Sequence, residues 1–460
     1  MTTLPVQLVG DGLAVPCLDG VDRPYLSLDT AASTSALPAV AARVQEFVPW
    51  YSSVHRGAGY KSQMATAAYE EARAAALAFA GRTGPDDIAI LCRNTTEAIN
   101  HLAYRLQLGP DDVVVTTVAE HHANLLPWAR SAARRRYVEC DGQGRFSAED
   151  VAAVLDDGDR PRLLAVTAAS NVTGWRPPLD QIIEVAHERG VPVLVDAAQL
   201  AAHHPLPAAA DFLAWSGHKM YAPFGTGVLV GPRDAFSQGD PFLAGGGAVD
   251  LVDLDEVIWT DPPEREEAGS PNVIGAVALH TAIDQLGLIG WEAIGAHEAE
   301  LAAGLRGGLA AIEGVRLLGP TLDTPTLAVA TFVVDGMSHA LVAARLSAEF
   351  GIGVRHGCFC AHPYLVRLLG LSGEEIARYH DDIHRGDRTR IPGAVRASAG
   401  LSTRGADVDR FLEAMAVIAG DDPAPVEYHQ DPVTGDYWPG TDVAPWSTGD
   451  RALGSACSRG

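Results

Sequence analysis

The fold is decided by the stretch Phe212-Leu213-Ala214-Trp215-Ser216-Gly217-His218-Lys219-Met220-Tyr221-Ala222-Pro223-Phe224-Gly225-Thr226-Gly227. Lys219 follows an apolar run, and a turn rich in glycine and proline separates it from a second apolar run that begins at Gly227. A lysine between two buried strands either reaches solvent or is used chemically. A desolvated lysine loses its charge readily, and its neutral amine forms Schiff bases with carbonyl groups. A plain surface-loop lysine is the alternative, and only the rest of the chain decides between the two.

The composition is that of a folded, acidic protein with more than one domain. At 460 residues the chain is too long for a single compact core, and a hydrophobic content of 47% is that of an ordinary folded protein. The formal net charge of −24 argues against binding to nucleic acid or to an anionic membrane surface, because both need clustered Lys and Arg.

The N-terminus and the cysteines indicate a cytoplasmic setting. The first residues lack the basic and apolar regions of a signal peptide, and no apolar run reaches the roughly 18 residues of a membrane helix. Six cysteines in a chain of this size do not suggest a disulfide framework, so we expect a reducing environment. Cys358 and Cys360 are the only close pair, and no second pair with ligand spacing accompanies them, so we expect no metal site.

Short apolar runs alternate with helix-like or turn segments after residue 87. We predict strands at residues 88–92, 112–117, 163–167, 193–196, 212–215 and 227–230. This alternation predicts an α/β fold with a mainly parallel sheet that is covered on both faces. Ligands bind such sheets at the carboxyl ends of the strands. The residues expected there are polar: Thr95, His121, Asn171, Asp196 and Lys219.

A smaller α+β unit is expected after the large one. A long helix runs to about Leu288, where we place the domain change, and strands are predicted at residues 328–334 and 352–355. We therefore assign residues 30–288 to a large domain, and residues 1–29 and 289–420 to a small domain. Residues 421–460 show no periodicity and are expected to form an irregular C-terminal tail.

Pyridoxal phosphate is the common carbonyl cofactor that a Schiff-base lysine serves. It needs a carboxylate that faces its pyridine nitrogen, a cradle for its phosphate and a group stacked on its ring. Asp196 ends an apolar run, and a buried carboxylate needs a cationic partner. His121 can lie flat on the ring. Capping of the next helix is the alternative role for Asp196, and a polar loop position is the alternative for His121.

Hydroxyl groups at a helix start suit the phosphate. Thr95 and Thr96 begin a predicted helix, where the first N–H groups and the positive end of the helix dipole attract anions. Ser216 and His218, which flank the glycine before Lys219, can add to this cradle. Plain N-capping is the alternative reading of the two threonines.

Taken together, these segments resemble the class V aminotransferase superfamily of fold-type I pyridoxal phosphate enzymes. They are most similar to its group II cysteine desulfurases and selenocysteine lyases. Besides the stretch around Lys219, the similar segments follow the family's order: His55-Arg56-Gly57, Asn94-Thr95-Thr96-Glu97-Ala98-Ile99-Asn100, Glu120-His121-His122-Ala123-Asn124, Ser170-Asn171-Val172-Thr173-Gly174, Val195-Asp196-Ala197-Ala198-Gln199, Glu267-Ala268-Gly269-Ser270-Pro271-Asn272 and Arg396-Ala397-Ser398.

The resemblance implies a large domain with a seven-stranded sheet, a homodimer, and roles for single residues. Lys219 would hold the cofactor as a Schiff base and remove the α-proton of an amino-acid substrate, and Asp196 would pair with the pyridine nitrogen. The other implied cofactor contacts are Gln199 on the phenolic oxygen, His121 on the ring face, Asn171 near substrate and ring oxygen, Thr95, Thr96, Ser216 and His218 at the phosphate, and Ser270 at a phosphate in the partner subunit. The implied substrate-binding residues are Arg396, which would hold the carboxylate as a bidentate fork, together with Asn171, Arg355 and His55.

The segment Val354-Arg355-His356-Gly357-Cys358-Phe359-Cys360-Ala361-His362-Pro363 resembles the part of the family that carries a nucleophilic cysteine. In the family this cysteine precedes Ala-x-Pro, which selects Cys360 over Cys358. Arg355, His356 and His362 are near in sequence and can favour the thiolate. The implied reaction converts L-cysteine to L-alanine and leaves a persulfide on Cys360 for a sulfur acceptor, with selenocysteine as a second candidate substrate. Two buried structural cysteines are the alternative.

The chain departs from the family pattern around substrate and cysteine. Gly357-Cys358-Phe359-Cys360 stands where the family often has Gly-His-His-Cys, and this segment also resembles molybdenum cofactor sulfurases. Gly59 stands where the family usually has a second histidine, and Ser402-Thr403-Arg404 stands where it has Tyr-Asn-Thr. One alternative is therefore another reaction on the same fold, by a C–S lyase, an aminotransferase or an epimerase, with Cys360 not catalytic. A non-catalytic scaffold is the other alternative, and the presence of Lys219, Asp196 and Arg396 disfavours it.

Overall fold

A computed structural model of the chain describes residues 4–131, 133–420 and 423–440. The helices among these residues are α1 (Pro38–Phe47), α2 (Tyr60–Phe79), α3 (Thr95–Arg105), α4 (Leu126–Arg130), α5 (Ala148–Leu155), α6 (Leu179–Glu188), α7 (Val273–Ile289), α8 (Trp291–Ala310), α9 (His339–Phe350), α10 (His362–Leu369), α11 (Gly373–His384) and α12 (Gly405–Ala419). The strands are β1 (Ala14–Pro16), β2 (Asp22–Pro24), β3 (Leu26–Ser27), β4 (Asp87–Cys92), β5 (Val113–Thr117), β6 (Arg134–Val138), β7 (Leu163–Thr167), β8 (Val193–Asp196), β9 (Phe212–Ser216), β10 (Gly227–Pro232), β11 (Val249–Val252), β12 (Val257–Trp259), β13 (Val315–Leu318), β14 (Val329–Val334), β15 (Ile352–Gly353), β16 (Arg355–Gly357), β17 (Ala394–Ser398), β18 (Tyr428–Gln430) and β19 (Tyr437–Pro439).

A seven-stranded sheet with the order β4-β10-β9-β8-β7-β5-β6 forms the centre of the large unit. β10 runs antiparallel to both of its neighbours, and the other neighbouring strands pair in parallel. Alternate residues of one strand pack into different cores, with Leu164 and Val166 in one and Leu163 and Ala165 in the other. Both faces of the sheet are thus covered, which explains the uninterrupted apolar runs. The predicted α/β fold with a mainly parallel seven-stranded sheet is confirmed.

The six strands predicted in this sheet are all present, with ends that differ by at most two residues. β6 was missed because it begins with Arg134-Arg135-Arg136 and lies at the edge of the sheet. An edge strand that faces solvent needs no apolar run, so the apolar pattern gave no signal for it.

A second, antiparallel sheet has the order β13-β14-β17-β16. Residues from α8, α9 and α12 cover it and form a separate core around Phe332 and Phe411. The strand predicted at residues 352–355 is in fact two strands, because β15 pairs with β3 near the N-terminus whereas β16 forms an edge of this sheet. The division of the chain into two domains near Leu288 stays a prediction.

The C-terminal segment contains a β-hairpin where we expected an irregular tail. β18 and β19 pair in antiparallel fashion, with Tyr428 opposite Pro439 and Gln430 opposite Tyr437. The prediction of an irregular tail is therefore wrong for residues 428–439. Two strands of three residues are too short to produce a recognisable sequence period, and the Pro-Val-Thr-Gly turn between them resembles a loop. Residues 441–460 lie outside the described residues.

Among the residues that the structure describes, no single helix is both long and apolar enough to cross a membrane. α7 and α8 meet the criteria only as a joined pair, and they are bent by 82° at the break between them. Ala276, Ala278 and Leu279 of α7 are fully buried in the protein core.

The start of α3 is held close to the edge of the sheet. The Asn94 side chain caps the helix by accepting a hydrogen bond from the Glu97 amide at 3.0 Å. β10 begins at Gly227, where an added Cβ atom would lie 2.5 Å from the Asn94 Cα atom. Only glycine permits this close approach. The N-terminus of α3 is thereby fixed next to the turn that carries Lys219.

Candidate active site

A cavity of about 260 Å³ lies at the carboxyl ends of the parallel strands. It brings together all the predicted site residues except His55 and Ser270. Those that line it are Thr95, Thr96, His121, Asn171, Asp196, Gln199, Ser216, His218, Lys219, Arg355, Cys360 and Arg396. The parallel sheet explains how the residues of the large unit assemble, because the carboxyl ends of its strands share one edge. Arg355, Cys360 and Arg396 come instead from β16, the turn after it and β17 of the second sheet.

Lys219 and Asp196 come from neighbouring strands. Asp196 is the last residue of β8, and Lys219 ends a short 3₁₀ helix (Gly217–Lys219) that directly follows β9. Burial lowers the pKa of Lys219 to about 8, while the Asp196 carboxylate opposes this shift. With a pKa of about 8, roughly a tenth of the amine is uncharged at pH 7, far more than for an ordinary lysine, and this neutral form acts as a nucleophile or a general base.

Asp196 is a buried carboxylate without an ionic partner among the described residues. Its residue is 4% exposed, and Oδ1 accepts one hydrogen bond, from the Ala198 amide at 3.0 Å. Burial raises the pKa of Asp196, and the Ala198 hydrogen bond and Lys219 counteract this. A buried carboxylate in this state gains stability from a cationic ligand group.

Hydroxyl groups and helix N–H groups form a polar cradle on one side of the cavity. The Ser216 Oγ accepts from the Thr95 amide at 2.8 Å and lies 2.6 Å from the Thr95 Oγ1. Thr96 is exposed to the cavity at the first turn of the eleven-residue helix α3. Burial and Lys219 lower the pKa of His218 to about 4, so this ring is neutral near pH 7. The cradle offers hydroxyls, backbone amides and a helix dipole to an anion.

His121 and Gln199 present fixed polar side chains to the cavity. The His121 Nδ1 accepts from the Ala123 amide at 3.0 Å, so the neutral ring carries its proton on Nε2. Burial, and to a smaller extent the positive charge of Lys219, lowers the pKa of His121 to about 4, so the ring is neutral near pH 7. The Gln199 Nε2 donates to the Ala31 carbonyl at 2.7 Å, which leaves its Oε1 and one amide proton for a ligand.

Arg396, on β17, provides a buried guanidinium that retains free donors. The residue is 3% exposed, its Nη1 donates to the Asn171 carbonyl at 2.8 Å, and its Nη2 donates to the Asp29 Oδ1 at 2.9 Å. Its Nε has no hydrogen-bond partner among the described residues. Three of the five guanidinium protons therefore remain for a carboxylate ligand. Arg355 pairs with Arg396 across the strands, and its Nη1 lies 3.8 Å from the Asp29 Oδ2.

Cys360 lies on a strained turn that follows β16. Phe359 and Cys360 have φ values of 55° and 54°, in the left-handed region that non-glycine residues rarely adopt. Two contacts from the large unit hold this turn. The Asn171 Nδ2 donates to the Phe359 carbonyl at 2.7 Å, and the His122 amide donates to the Cys360 carbonyl at 2.7 Å. The exposed cysteine is thus fixed at the cavity by its backbone.

The two histidines expected to favour a Cys360 thiolate have other partners. The His362 Nδ1 lies 3.1 Å from the His122 Nε2, and the two rings are stacked. His356 faces away from the cavity, with Nδ1 3.3 Å from the His339 Nδ1. Of the three basic residues near Cys360 in sequence, only Arg355 shares the cavity with it.

Cys358 is less accessible than Cys360. It is half-buried, and burial raises the pKa of its thiol. Its carbonyl accepts from the Ala361 amide at 2.9 Å, which closes the turn. Cys358 does not line the cavity, whereas Cys360 does. The position and exposure of Cys360 suit a nucleophile better.

His55 and Ser270 lie outside this cavity. The His55 Nε2 is 2.7 Å from the Glu70 Oε1, and the ring packs edge-on against Tyr69. Ser270 is exposed beside Gly269, which has a φ value of 92°. Within one chain neither side chain lines the cavity, so the substrate-binding role of His55 and the role of Ser270 in a partner subunit stay predictions.

Three residues of the site region were missed at the sequence level. Asp29 contacts both arginines, but its partner Arg396 is 367 positions away, and no local pattern signals such a contact. His122 holds the Cys360 turn. Glu120 is fully buried, and burial raises its pKa to about 8 while it accepts from the Thr117 Oγ1, the Asn124 Nδ2 and the Thr167 amide. Glu120 and His122 flank His121. An acidic residue three positions after a buried apolar strand could have indicated that Glu120 is buried near the site.

We predict that the Lys219 amine titrates near pH 8 in protein freed of any cofactor, because burial disfavours its charged form. The pH dependence of its acylation by an amine-reactive reagent, followed by peptide mass spectrometry, measures this. Asp196→Asn should move the midpoint lower still, because the carboxylate stabilises the ammonium. Lys61 is the only other lysine of the chain and serves as an internal reference. A midpoint near the ordinary value of 10.5, or an upward shift in Asp196→Asn, would contradict this account.

Comparison with known proteins assigns the chain to a family. The family described as "Aminotransferase class-V" matches residues 26–411. A probable cysteine desulfurase from Pseudomonas aeruginosa is 38% identical over 373 residues, which cover 79% of this chain and 86% of that protein. The structure of a cysteine desulfurase from Thermococcus onnurineus is 32% identical, has a TM-score of 0.76, and is matched over 86% of this chain and 94% of that one. A cysteine desulfurase from Escherichia coli has a TM-score of 0.72 at 31% identity, over 85% of this chain and 94% of that one. The chain therefore belongs to the class-V aminotransferase family, whose members are enzymes that depend on pyridoxal phosphate.

Proposed function

We propose that this enzyme is a cysteine desulfurase, which converts L-cysteine to L-alanine and leaves the sulfur as a persulfide on Cys360. The observation that carries the proposal is one cavity lined by Lys219, Asp196, Arg396 and Cys360. The relative from Pseudomonas aeruginosa is named a probable cysteine desulfurase, and the similar structures from Thermococcus onnurineus and Escherichia coli are those of cysteine desulfurases.

The residues of the cavity fit pyridoxal phosphate. When bound, this cofactor supplies a carbonyl for the substrate's amino group and an electron sink for charge at the substrate Cα. Asp196, buried without an ionic partner among the described residues, suits a protonated pyridine nitrogen. The start of α3 with Thr95, Thr96 and Ser216, joined by His218, suits the phosphate.

Two further side chains complete the proposed cofactor contacts. His121 is neutral and has a fixed ring orientation, which suits stacking on a flat aromatic group. Gln199 retains one amide proton for the phenolic oxygen. Both residues line the cavity with Lys219.

The substrate contacts follow from charge and free donors. Arg396 would bind the substrate carboxylate through protons that Asp29 and the Asn171 carbonyl leave free, and Arg355 would add positive charge at the mouth of the cavity. Asn171 would lie beside the bound amino acid. Lys219, with a pKa lowered to about 8, would take the proton from the substrate Cα and return one at the end of the reaction.

Cys360 would receive the sulfur. Its thiolate attacks the substrate sulfur, so that a sulfur–sulfur bond forms and the bond between that sulfur and the substrate Cβ breaks. The carbon keeps the electron pair and takes up a proton, which yields the methyl group of alanine. Because Cys360 is exposed, its persulfide remains accessible to a thiol acceptor, either a protein or a small molecule.

We also propose a homodimer that acts in the reducing environment of the cytoplasm. The hairpin β11–β12 exposes a row of apolar side chains that includes Leu251, Val252 and Leu254, the last of them 99% exposed. A surface of this kind is typical of protein contacts. Ser270 and His55, which lie outside their own chain's cavity, would then be available to the partner's site. Free thiols at the five described cysteines agree with a reducing environment.

We expect purified protein to absorb visible light as a pyridoxal phosphate enzyme does, and borohydride to bleach this band by fixing the cofactor on Lys219. Peptide mass spectrometry locates the modification. Lys219→Ala should lose the bleaching, whereas Lys61→Ala should behave as the wild type because Lys61 lies on the exposed surface of α2. A colourless wild type, or modification of Lys61 instead, would refute the cofactor assignment.

We expect L-cysteine and a reductant to yield equal amounts of alanine and sulfide. Cys360→Ala should lower this activity by about a hundredfold or more while the absorbance spectrum stays unchanged, because the variant keeps the cofactor contacts but lacks the sulfur-accepting thiol. Cys358→Ala is the matched control and should retain most of the activity. Normal turnover by Cys360→Ala together with inactive Cys358→Ala would assign the nucleophile to Cys358. Pyruvate and ammonia in place of alanine would identify a C–S lyase.

A further inference from the structure

The C-terminal hairpin formed by β18 and β19 lies beyond the part of the chain that the family match covers. The match ends at residue 411, and the hairpin spans Tyr428–Pro439. None of its residues lines the cavity. Its contacts nevertheless include β16 and the loop before β17, the two segments next to Arg355, Cys360 and Arg396.

The first group of contacts joins the hairpin to α9 and to the loop before β17. The Tyr428 hydroxyl donates to the Glu349 Oε1 at 2.9 Å, and Glu349 is itself paired with the buried Arg345. The Gln430 Nε2 donates to the Thr389 carbonyl at 3.0 Å, and the Arg388 amide donates to the Pro432 carbonyl at 2.9 Å. The loop at residues 388–389 leads directly into β17, which carries Arg396.

The second contact reaches β16 itself. The Asp436 Oδ1 lies 3.4 Å from the His356 Nε2, and the other ring nitrogen of His356 faces His339 on α9. His356 is the middle residue of β16, between Arg355 and the turn that ends in Cys360. The hairpin therefore contacts the strand that begins at Arg355 and leads through the following turn to Cys360.

β16 needs this support for a physical reason. It has three residues, lies at the edge of its sheet and pairs with no strand other than β17 in the part of the chain that the structure describes. A short edge strand with one neighbour opens easily, because few hydrogen bonds hold it. It also leads into a turn with two residues of left-handed φ, whose strain favours a different backbone path.

A glycine lets the hairpin lie this close. Gly435 has a φ value of 82°, and a Cβ atom added there would lie 2.6 Å from the Arg388 carbonyl oxygen. A larger side chain would force the hairpin away from the loop at residue 388. Val433 lies at the turn of the hairpin, is 68% exposed, and can be changed without this effect.

We propose that the β18–β19 hairpin is a positioning element for the reaction, which holds β16 and the loop before β17 so that Cys360, Arg355 and Arg396 converge on the substrate. The cavity residues perform the chemistry, and the hairpin acts through His356, Thr389 and α9. This inference rests on the proposed desulfurase activity, since it assigns the positioned residues their roles.

The test compares variants of the holoenzyme with and without a docked hairpin. Removal of residues 423–460 and the substitution Gly435→Val should each lower kcat about tenfold and raise KM for L-cysteine several-fold, because small displacements of reacting groups are costly. Alkylation of Cys360 by iodoacetamide, located by peptide mass spectrometry, should change in rate by about threefold, because the thiol no longer keeps its fixed position near Arg355 at the cavity. The absorbance spectrum should not change, because the cofactor contacts lie in the large unit.

Two matched controls separate positioning from general damage. Val433→Ala leaves the hairpin's contacts with residues 349, 356, 388 and 389 in place and should match the wild type in kcat, KM and alkylation. Removal of residues 441–460 alone retains all hairpin residues and should also match the wild type. Wild-type values of all three quantities in Gly435→Val and in the chain without residues 423–460 would overturn the proposal. If the wild type forms no alanine from cysteine, the desulfurase proposal fails, and the alkylation rates alone then decide whether the hairpin positions Cys360.

Discussion

The site depends on the parallel pairing of β8 with β9, which brings Asp196 and Lys219 to one edge of a sheet buried on both faces. Two groups of opposite charge lie close enough to influence one another, yet Asp196 forms no ion pair among the described residues. Burial without direct pairing is costly and pushes both groups towards their neutral forms. A cationic ligand group beside Asp196 would lower this cost, and burial of Lys219 makes its amine a usable base.

The other residues of the site come from the second sheet and are held at the cavity by separate contacts. Cys360 and the two arginines lie on or next to β16 and β17, so they reach the cavity only if the small unit is held in place. Asn171 provides two of these contacts, because its side chain donates to the Phe359 carbonyl and its own carbonyl accepts from Arg396. His122, the neighbour of His121, holds the Cys360 carbonyl. The segments that carry the proposed cofactor contacts thus also hold the proposed sulfur acceptor.

Much of the fold and part of the cavity could be predicted from the residues alone, because buried parallel strands produce apolar runs and their carboxyl ends carry polar residues such as His121, Asp196 and Lys219. Arg396 and Cys360 were expected in the cavity only from the resemblance to the family. The features that could not be predicted produce no local pattern in the sequence. β6 is an edge strand with polar residues, Asp29 meets its partner from the far end of the chain, and the β18–β19 hairpin is too short for a period. His356 was expected near the thiol from proximity in sequence, but alternation along β16 turns it towards Asp436.

Sulfur transfer from the substrate to Cys360 is tested most directly by trapping the sulfur on the enzyme. The holoenzyme is incubated without reductant with L-cysteine that carries an isotopic label in its sulfur, then alkylated, digested and analysed by mass spectrometry. We expect one labelled sulfur atom on Cys360 of the wild type and none on Cys360 of Lys219→Ala. Labelled sulfur on Cys358 alone, or alanine release with no label on either cysteine, would contradict it.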